Sequence, residues 1–268
     1  MRRVVAGWVL MLFLGACLSR GERAAQWAVA AQMQPVLLHT SFFTLQSYVR
    51  WKKADPLLIV YLEGDGAAWV TPTRLSVDPT PQEATALKMA SRDYAGSVAY
   101  LARPCQFVEE SERRNCSPHY WSNARYAPEV VSALREAIQQ LLQRSGAQRL
   151  RLVGYSGGGS LAVLLAAQLQ PEWLITVAAP LDTEAWTQWH NLSPLDRSLN
   201  PRTALLQSGQ MRQQHWIGGR DEIVPKALSQ QILFPFIDGR TLLQEEPSFD
   251  HSCCWGERWA ELLKKMDW

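Results

Sequence analysis

The sequence predicts an α/β protein with a mostly parallel central sheet, helices on both faces, and a small cap or lid inserted around residues 180–209. Three observations lead there. Short apolar runs at 57–62, 97–101, 149–153 and 173–178 read as strands. The first of them, Leu57-Leu58-Ile59-Val60-Tyr61-Leu62, is apolar without interruption, as in a strand covered on both faces. Stretches with helical apolar spacing alternate with these runs, and such alternation means parallel strands joined by helices.

The elements follow in order. Residues 36–38 and 42–51 mix apolar and polar positions, as early antiparallel edge strands do. A helix is expected over 81–91 with Pro81 in its first turn. Residues 128–144 carry Val130, Val131, Leu134, Ile138, Leu141 and Leu142 on one side, and Gly146 closes that helix. A helix over 161–170 follows the strand at 149–153. A weaker strand at 211–217, a helix over 226–233, a short strand at 240–243 and a closing helix over 257–265 complete the pattern. The segment 180–209, with Trp186, Trp189 and several prolines, breaks the alternation and is read as the cap, with a surface excursion that has no role in substrate access as the competing reading.

The chain begins Met-Arg-Arg and continues with an apolar run to Ala16, the architecture of an export signal. The run is short for a membrane span, which needs about 20 residues. Leu14-Gly15-Ala16-Cys17 resembles the bacterial lipobox. That resemblance implies removal of residues 1–16, acylation of Cys17 and anchoring to a membrane, with each buried CH₂ worth about 0.8 kcal/mol. Leu18 and Ser19 follow, without Asp, which by resemblance to enterobacterial sorting implies the outer membrane, facing the periplasm. Residues 17–34 are expected to be a short tether, and 35–268 the folded domain.

The formal net charge is +2, and Arg2 and Arg3 account for it. No basic stripe interleaved with aromatics is present, so a nucleic-acid partner is not expected. Besides Cys17 there are four cysteines, an even number suited to disulfides in an exported protein. A local Cys105–Cys116 bridge is favoured, stabilising its loop by about 3 kcal/mol in the chain-entropy view. Cys253 and Cys254 would then pair as neighbours. The alternative staples the 105/116 loop to the 253/254 loop. His and Cys do not fall at zinc spacings, and neither metal nor cofactor is expected.

Gly154-Tyr155-Ser156-Gly157-Gly158 lies between a strand and a helix. This is G-x-S-x-G in the setting that gives it meaning: a sharp turn holds the serine hydroxyl out over the sheet. A phosphate loop would place Lys after the glycines, and none is there. Here the chain resembles the α/β-hydrolase superfamily over residues 35–268. The resemblance implies Ser156 as nucleophile, followed in order by an acid and a histidine. Gly218-Gly219-Arg220-Asp221-Glu222-Ile223-Val224-Pro225 matches the family's acid loop, so Asp221 is the expected acid, with Glu222 as runner-up and a helix-capping role as the competing reading. His251 in Phe249-Asp250-His251-Ser252 is the only histidine after it and the expected base. The oxyanion hole is expected from the backbone N–H of Gly157 and of a residue in Glu63-Gly64-Asp65-Gly66, where the family often has His-Gly. Asp65 is the expected donor, with Gly64 and Gly66 as alternatives. The implied activity is hydrolysis of an ester or thioester of a small-molecule or lipid acyl substrate through an acyl-enzyme. A non-catalytic binding protein and an envelope acyltransferase are the competing readings on the same fold.

Overall fold

The computed structural model describes residues 18–207 and 211–266. The leader and Cys17 lie outside them. In chain order the elements are α1 (Arg20–Ala30), β1 (Gln34–His39), β2 (Thr44–Arg50), β3 (Leu57–Leu62), the small hairpin β4 (Trp69–Thr71) and β5 (Arg74–Leu75), α2 (Thr85–Ser91) and β6 (Ser97–Leu101). Then come α3 (Pro128–Ser145), β7 (Arg149–Tyr155), α4 (Gly157–Leu169), β8 (Trp173–Val177), α5 (Thr183–Trp189) and α6 (Pro201–Gln207). The chain closes with β9 (Arg212–Gly218), α7 (Lys226–Leu233), β10 (Thr241–Glu246) and α8 (Trp255–Leu263).

Eight strands form one sheet in the order β1-β2-β6-β3-β7-β8-β9-β10. β1 and β2 pair antiparallel, β2 meets β6 antiparallel, and every pairing from β6 to β10 is parallel. The uninterrupted apolar run of β3 explains the two-sided core. Leu58, Val60 and Leu62 face the layer that holds Val130, Leu134, Ile138 and Leu141 of α3 and Leu161 of α4. Leu57, Ile59 and Tyr61 face the opposite layer, with Leu87 of α2 and Trp255 and Trp259 of α8. Successive side chains of a strand point to opposite faces, so an unbroken apolar run fills both. Within the second layer Trp259 donates to the Tyr61 hydroxyl at 2.8 Å, which donates to Asp93 at 2.6 Å, so these two buried groups are satisfied.

Residues expected to be a tether form α1. Its signal is local: Ser19 and Glu22 make a reciprocal capping box. The helix docks through Ala24 and Ala28, four residues apart on one face, and Trp27 lies 4.4 Å beneath the Lys88 ammonium. Small side chains carry this contact, so apolar spacing alone does not reveal it. The helix expected over 81–91 begins only at Thr85, and the β4–β5 hairpin was not expected at all. The described part of the 180–209 segment holds α5 and α6. Cys105 is bridged to Cys116 across 5.7 Å between Cα atoms, and Cys253 to Cys254, so the two loops are not stapled together.

Candidate active site

β7 runs between β3 and β8 and delivers Tyr155 and Ser156 to its carboxyl end. Ser156 has φ 52° and ψ −126°, a conformation disfavoured for a residue with a side chain. Its N–H is held by the Val177 carbonyl at 2.8 Å, and α4 starts at the next residue. The turn is possible because Gly158 lies against the Leu62 and Glu63 carbonyls, where any Cβ would collide with backbone. Strain held this way by its surroundings is typical of a reactive position.

The loop between β10 and α8 carries His251. Asp250 accepts from the N–H groups of Ser252 (2.8 Å) and Cys253 (2.7 Å), which shapes the loop. The Tyr155 hydroxyl donates to the His251 carbonyl at 2.8 Å. The imidazole is thereby placed with Nε2 at 2.9 Å from Ser156 Oγ. Asp221 follows β9 and is 5% exposed. Its Oδ1 accepts from the N–H groups of Ile223 (2.9 Å) and Val224 (2.8 Å), and its Oδ2 lies 2.9 Å from His251 Nδ1. Glu222 is exposed and takes no part, and the residue flanking α7 is Pro225, so Asp221 does not cap that helix. The structure therefore brings Ser156, His251 and Asp221 into one hydrogen-bonded line. His215 sits apart in β9, bonded to Thr176 at 2.7 Å, and burial pushes its pKa down to about 3, so it stays neutral.

The Gly64 N–H is taken by the Glu63 carboxylate at 2.9 Å, which removes Gly64 as an oxyanion donor. The N–H groups of Gly157 and Asp65 meet no acceptor among the described residues. The Asp65 carboxylate packs where a Cβ on Gly157 would sit, beside the Tyr126 hydroxyl. It is paired with Arg103, and with Arg125 at 2.6 Å. Burial alone would raise its pKa, but the charges of Arg125 and Arg103 and their hydrogen bonds overcome burial and hold it below the usual carboxylate range. Two guanidinium groups against one carboxylate leave a net positive charge beside the Gly157 N–H. An acidic residue here is thus compatible with a developing oxyanion.

Arg103, Arg125, Tyr126 and Tyr155 were not singled out from the sequence. Tyr155 is the variable position of the G-x-S-x-G motif. The arginines come from the end of β6 and from the loop before α3, and only the fold brings them to Asp65.

Glu63 is 1% exposed, and its carboxylate also accepts from the Ala86 N–H at 3.3 Å. Burial pushes its pKa from the ordinary 4.5 up to about 7, against the pull of the Gly64 and Ala86 N–H groups. Below pH 4.5 the group is protonated folded or unfolded and costs nothing. As pH rises from 4.5 to 7 the unfolded chain ionises first, so this group withdraws stability, fully so above pH 7. Glu63→Gln is expected to match the parent Tm at pH 4 and exceed it at pH 8, by the equivalent of up to about 3 kcal/mol. Thermal unfolding across that range checks this, and a Tm difference independent of pH would contradict it.

Ser156 and His251 open into a cleft of about 1030 Å³. Its walls include Asp65, Trp69, Arg125, Tyr155, Ile223 and the Cys253–Cys254 pair. From the 180–209 segment Trp186 lines the cleft. Trp186 Nε1 donates to the Ile223 carbonyl at 2.7 Å, and His190 Nε2 lies 2.9 Å from the same oxygen, tying α5 to the Asp221 loop. Among the described residues no group of His, Cys, Asp and Glu is arranged to hold a metal ion.

No family model and no curated protein matches the chain. Solved structures do. An esterase from Pyrococcus furiosus superposes with a TM-score of 0.62 at 13% identity, over 98% of this chain and 96% of its own. The chain has the α/β-hydrolase fold. An α/β hydrolase from a Penicillium species has a TM-score of 0.63 at 13% identity over 88% of this chain and 96% of its own. An α/β serine hydrolase without a lid from Xanthomonas campestris has a TM-score of 0.55 at 14% identity, over 87% of this chain and 90% of its own. Identities this low carry the α/β-hydrolase fold and no more, and in that fold chemistry gathers at the carboxyl ends of the parallel strands. Ser156, Asp221 and His251 lie beyond the ends of β7, β9 and β10.

Proposed function

We propose that this chain is a serine hydrolase that cleaves carboxylic esters or thioesters through an acyl-enzyme on Ser156. The supporting observation is the line Ser156 Oγ–His251 Nε2–His251 Nδ1–Asp221 Oδ2, with both contacts at 2.9 Å. Ser156 Oγ attacks the carbonyl carbon while its proton passes to His251 Nε2. Asp221, fixed by two backbone N–H groups, holds the proton on Nδ1 and stabilises the imidazolium. The oxyanion is received by the Gly157 and Asp65 N–H groups, a donor pair of which each member is typically worth about 2.7–4 kcal/mol. His251 then protonates the leaving alcohol or thiol. Water, deprotonated by the same imidazole, releases the acid and restores Ser156.

The lipobox-like Leu14-Gly15-Ala16-Cys17 supports a lipid anchor at Cys17 and a position on the outer membrane facing the periplasm. A lipid or small-molecule ester suits that place. Hydrolysis of a p-nitrophenyl ester series from acetyl to palmitoyl, alongside labelling with a fluorophosphonate, tests the chemistry. The hydrolase reading expects turnover and covalent labelling. Neither turnover nor labelling would remove it in favour of a binding protein.

A further inference from the structure

The position of the first turn of α1 bears on which face of the molecule meets a membrane. Leu18 is 40% exposed, and Ser19 caps α1 directly after it. The first turn of α1 is fastened down: the Arg20 guanidinium donates to the Thr80 carbonyl at 2.7 Å. Arg20 and Arg23 share a small groove with Pro81, Gln82 and Glu83. The same Pro81, Gln82 and Glu83 also line the catalytic cleft. One loop thus separates the start of α1 from the mouth of the cleft.

The β4–β5 hairpin rises from that mouth, since Ala67, bonded to the Pro79 carbonyl at 3.0 Å, and Ala68 line the cleft. Its first strand, and the residue two places after its second, expose large apolar side chains. Trp69 is 45% exposed, Val70 55%, and Val77, next to the Asp78–Thr80 stretch that holds Arg20, 90%. Across the cleft Ile223 is also half exposed. An isolated exposed valine needs no explanation, but here exposed Trp69 and Ile223 line the cleft, Val70 adjoins Trp69, and Val77 follows Ser76, whose N–H bonds the carbonyl of cleft-lining Ala68; exposed apolar residues grouped in this way mark a contact surface.

We infer that the β4–β5 hairpin and the cleft mouth form a face that rests on a lipid bilayer, so that the ester substrate enters the cleft from the membrane. The inference rests on the hydrolase reading and on the lipid anchor at Cys17. From Cys17 to Arg20 the chain reaches at most about 11 Å when extended. An acylated Cys17 therefore holds the fastened start of α1 at the lipid surface, together with the Asp78–Thr80 stretch that accepts from Arg20 and into which the hairpin leads. Trp69 and the two valines supply the apolar contact, and exposed Arg23 and Arg74 nearby suit anionic headgroups. The substrate class that follows is a membrane-resident acyl ester.

The test uses the full chain reconstituted through its anchor on vesicles of phosphatidylethanolamine and phosphatidylglycerol. Hydrogen–deuterium exchange of residues 69–78 is compared with and without vesicles. Hydrolysis of a long-chain ester embedded in the vesicle is compared with that of p-nitrophenyl acetate free in water. The expected result is slowed exchange on vesicles. In the Val70→Glu, Val77→Glu double variant the ratio of embedded to free ester hydrolysis falls about tenfold, equivalent to about 1.4 kcal/mol. Its p-nitrophenyl acetate rate, unchanged, reports an intact site. An unchanged ratio together with unaltered exchange overturns the inference. So does protection that grows with protein concentration without vesicles, which means a second copy covers the hairpin. A chain that gains protection on vesicles yet hydrolyses no ester keeps the docking face and discards the hydrolase reading.

Discussion

Ser156→Ala is expected to lower kcat/KM for p-nitrophenyl esters by on the order of 10⁴-fold or more and to abolish fluorophosphonate labelling. The change removes one oxygen and little else. The N–H of residue 156 keeps its bond to the Val177 carbonyl and the turn keeps its glycines, while the side-chain hydrogen bond of Oγ to His251 is what is lost. The Tm is therefore expected to move little. Loss of rate with the fold intact would assign the nucleophile to Ser156. A variant that still turned over ester, or still took the label, would mean another group attacks. The Cys253–Cys254 pair lining the cleft is poorly suited to that role while bridged.

Asp221→Asn is expected to cost about 10⁴-fold in kcat with a much smaller change in KM. The backbone decides which way the amide points. The atom facing the Ile223 and Val224 N–H groups must accept, so the amide oxygen takes that side. The NH₂ group is then left against His251 Nδ1, where it donates. Nδ1 must lose its proton to accept, and Nε2 carries the proton instead, facing Ser156 Oγ with nothing to receive the serine proton. Steady-state kinetics on a soluble ester separate kcat from KM. Glu222→Gln, altering an exposed side chain outside the line, is expected to leave both unchanged. If Glu222→Gln were the damaging change and Asp221→Asn the mild one, the acid assignment would reverse.

The two groups were legible because the motif and the order of residues carry them. G-x-S-x-G between a strand and a helix needs only neighbouring residues to be recognised. His251 was found by being the only histidine after the acid loop. The hairpin at Trp69–Leu75 was not legible, because its strands are short and exposed Trp69, Val70 and Thr71 show no period-2 pattern tied to a core. The length of the 81–91 helix misled for a related reason. Pro81 is favourable in a first turn, yet here it lines the cleft, and the helix waits until Thr85.

By itself the sequence determined the mostly parallel sheet, the alternation of its main strands and helices, and which serine, acid and histidine to consider. These depend on apolar periodicity and local turn chemistry, both written in consecutive residues. Tertiary structure alone decided that Asp65 is paired with Arg103 and Arg125, that Tyr155 holds the His251 loop, and that the start of α1 is fastened to the Thr80 carbonyl, next to the loop that lines the cleft. Each is a contact between polar groups far apart in the chain. Charge and hydrogen-bonding capacity name many eligible partners along a sequence, and only the packing of the sheet and its helices brings one set within reach.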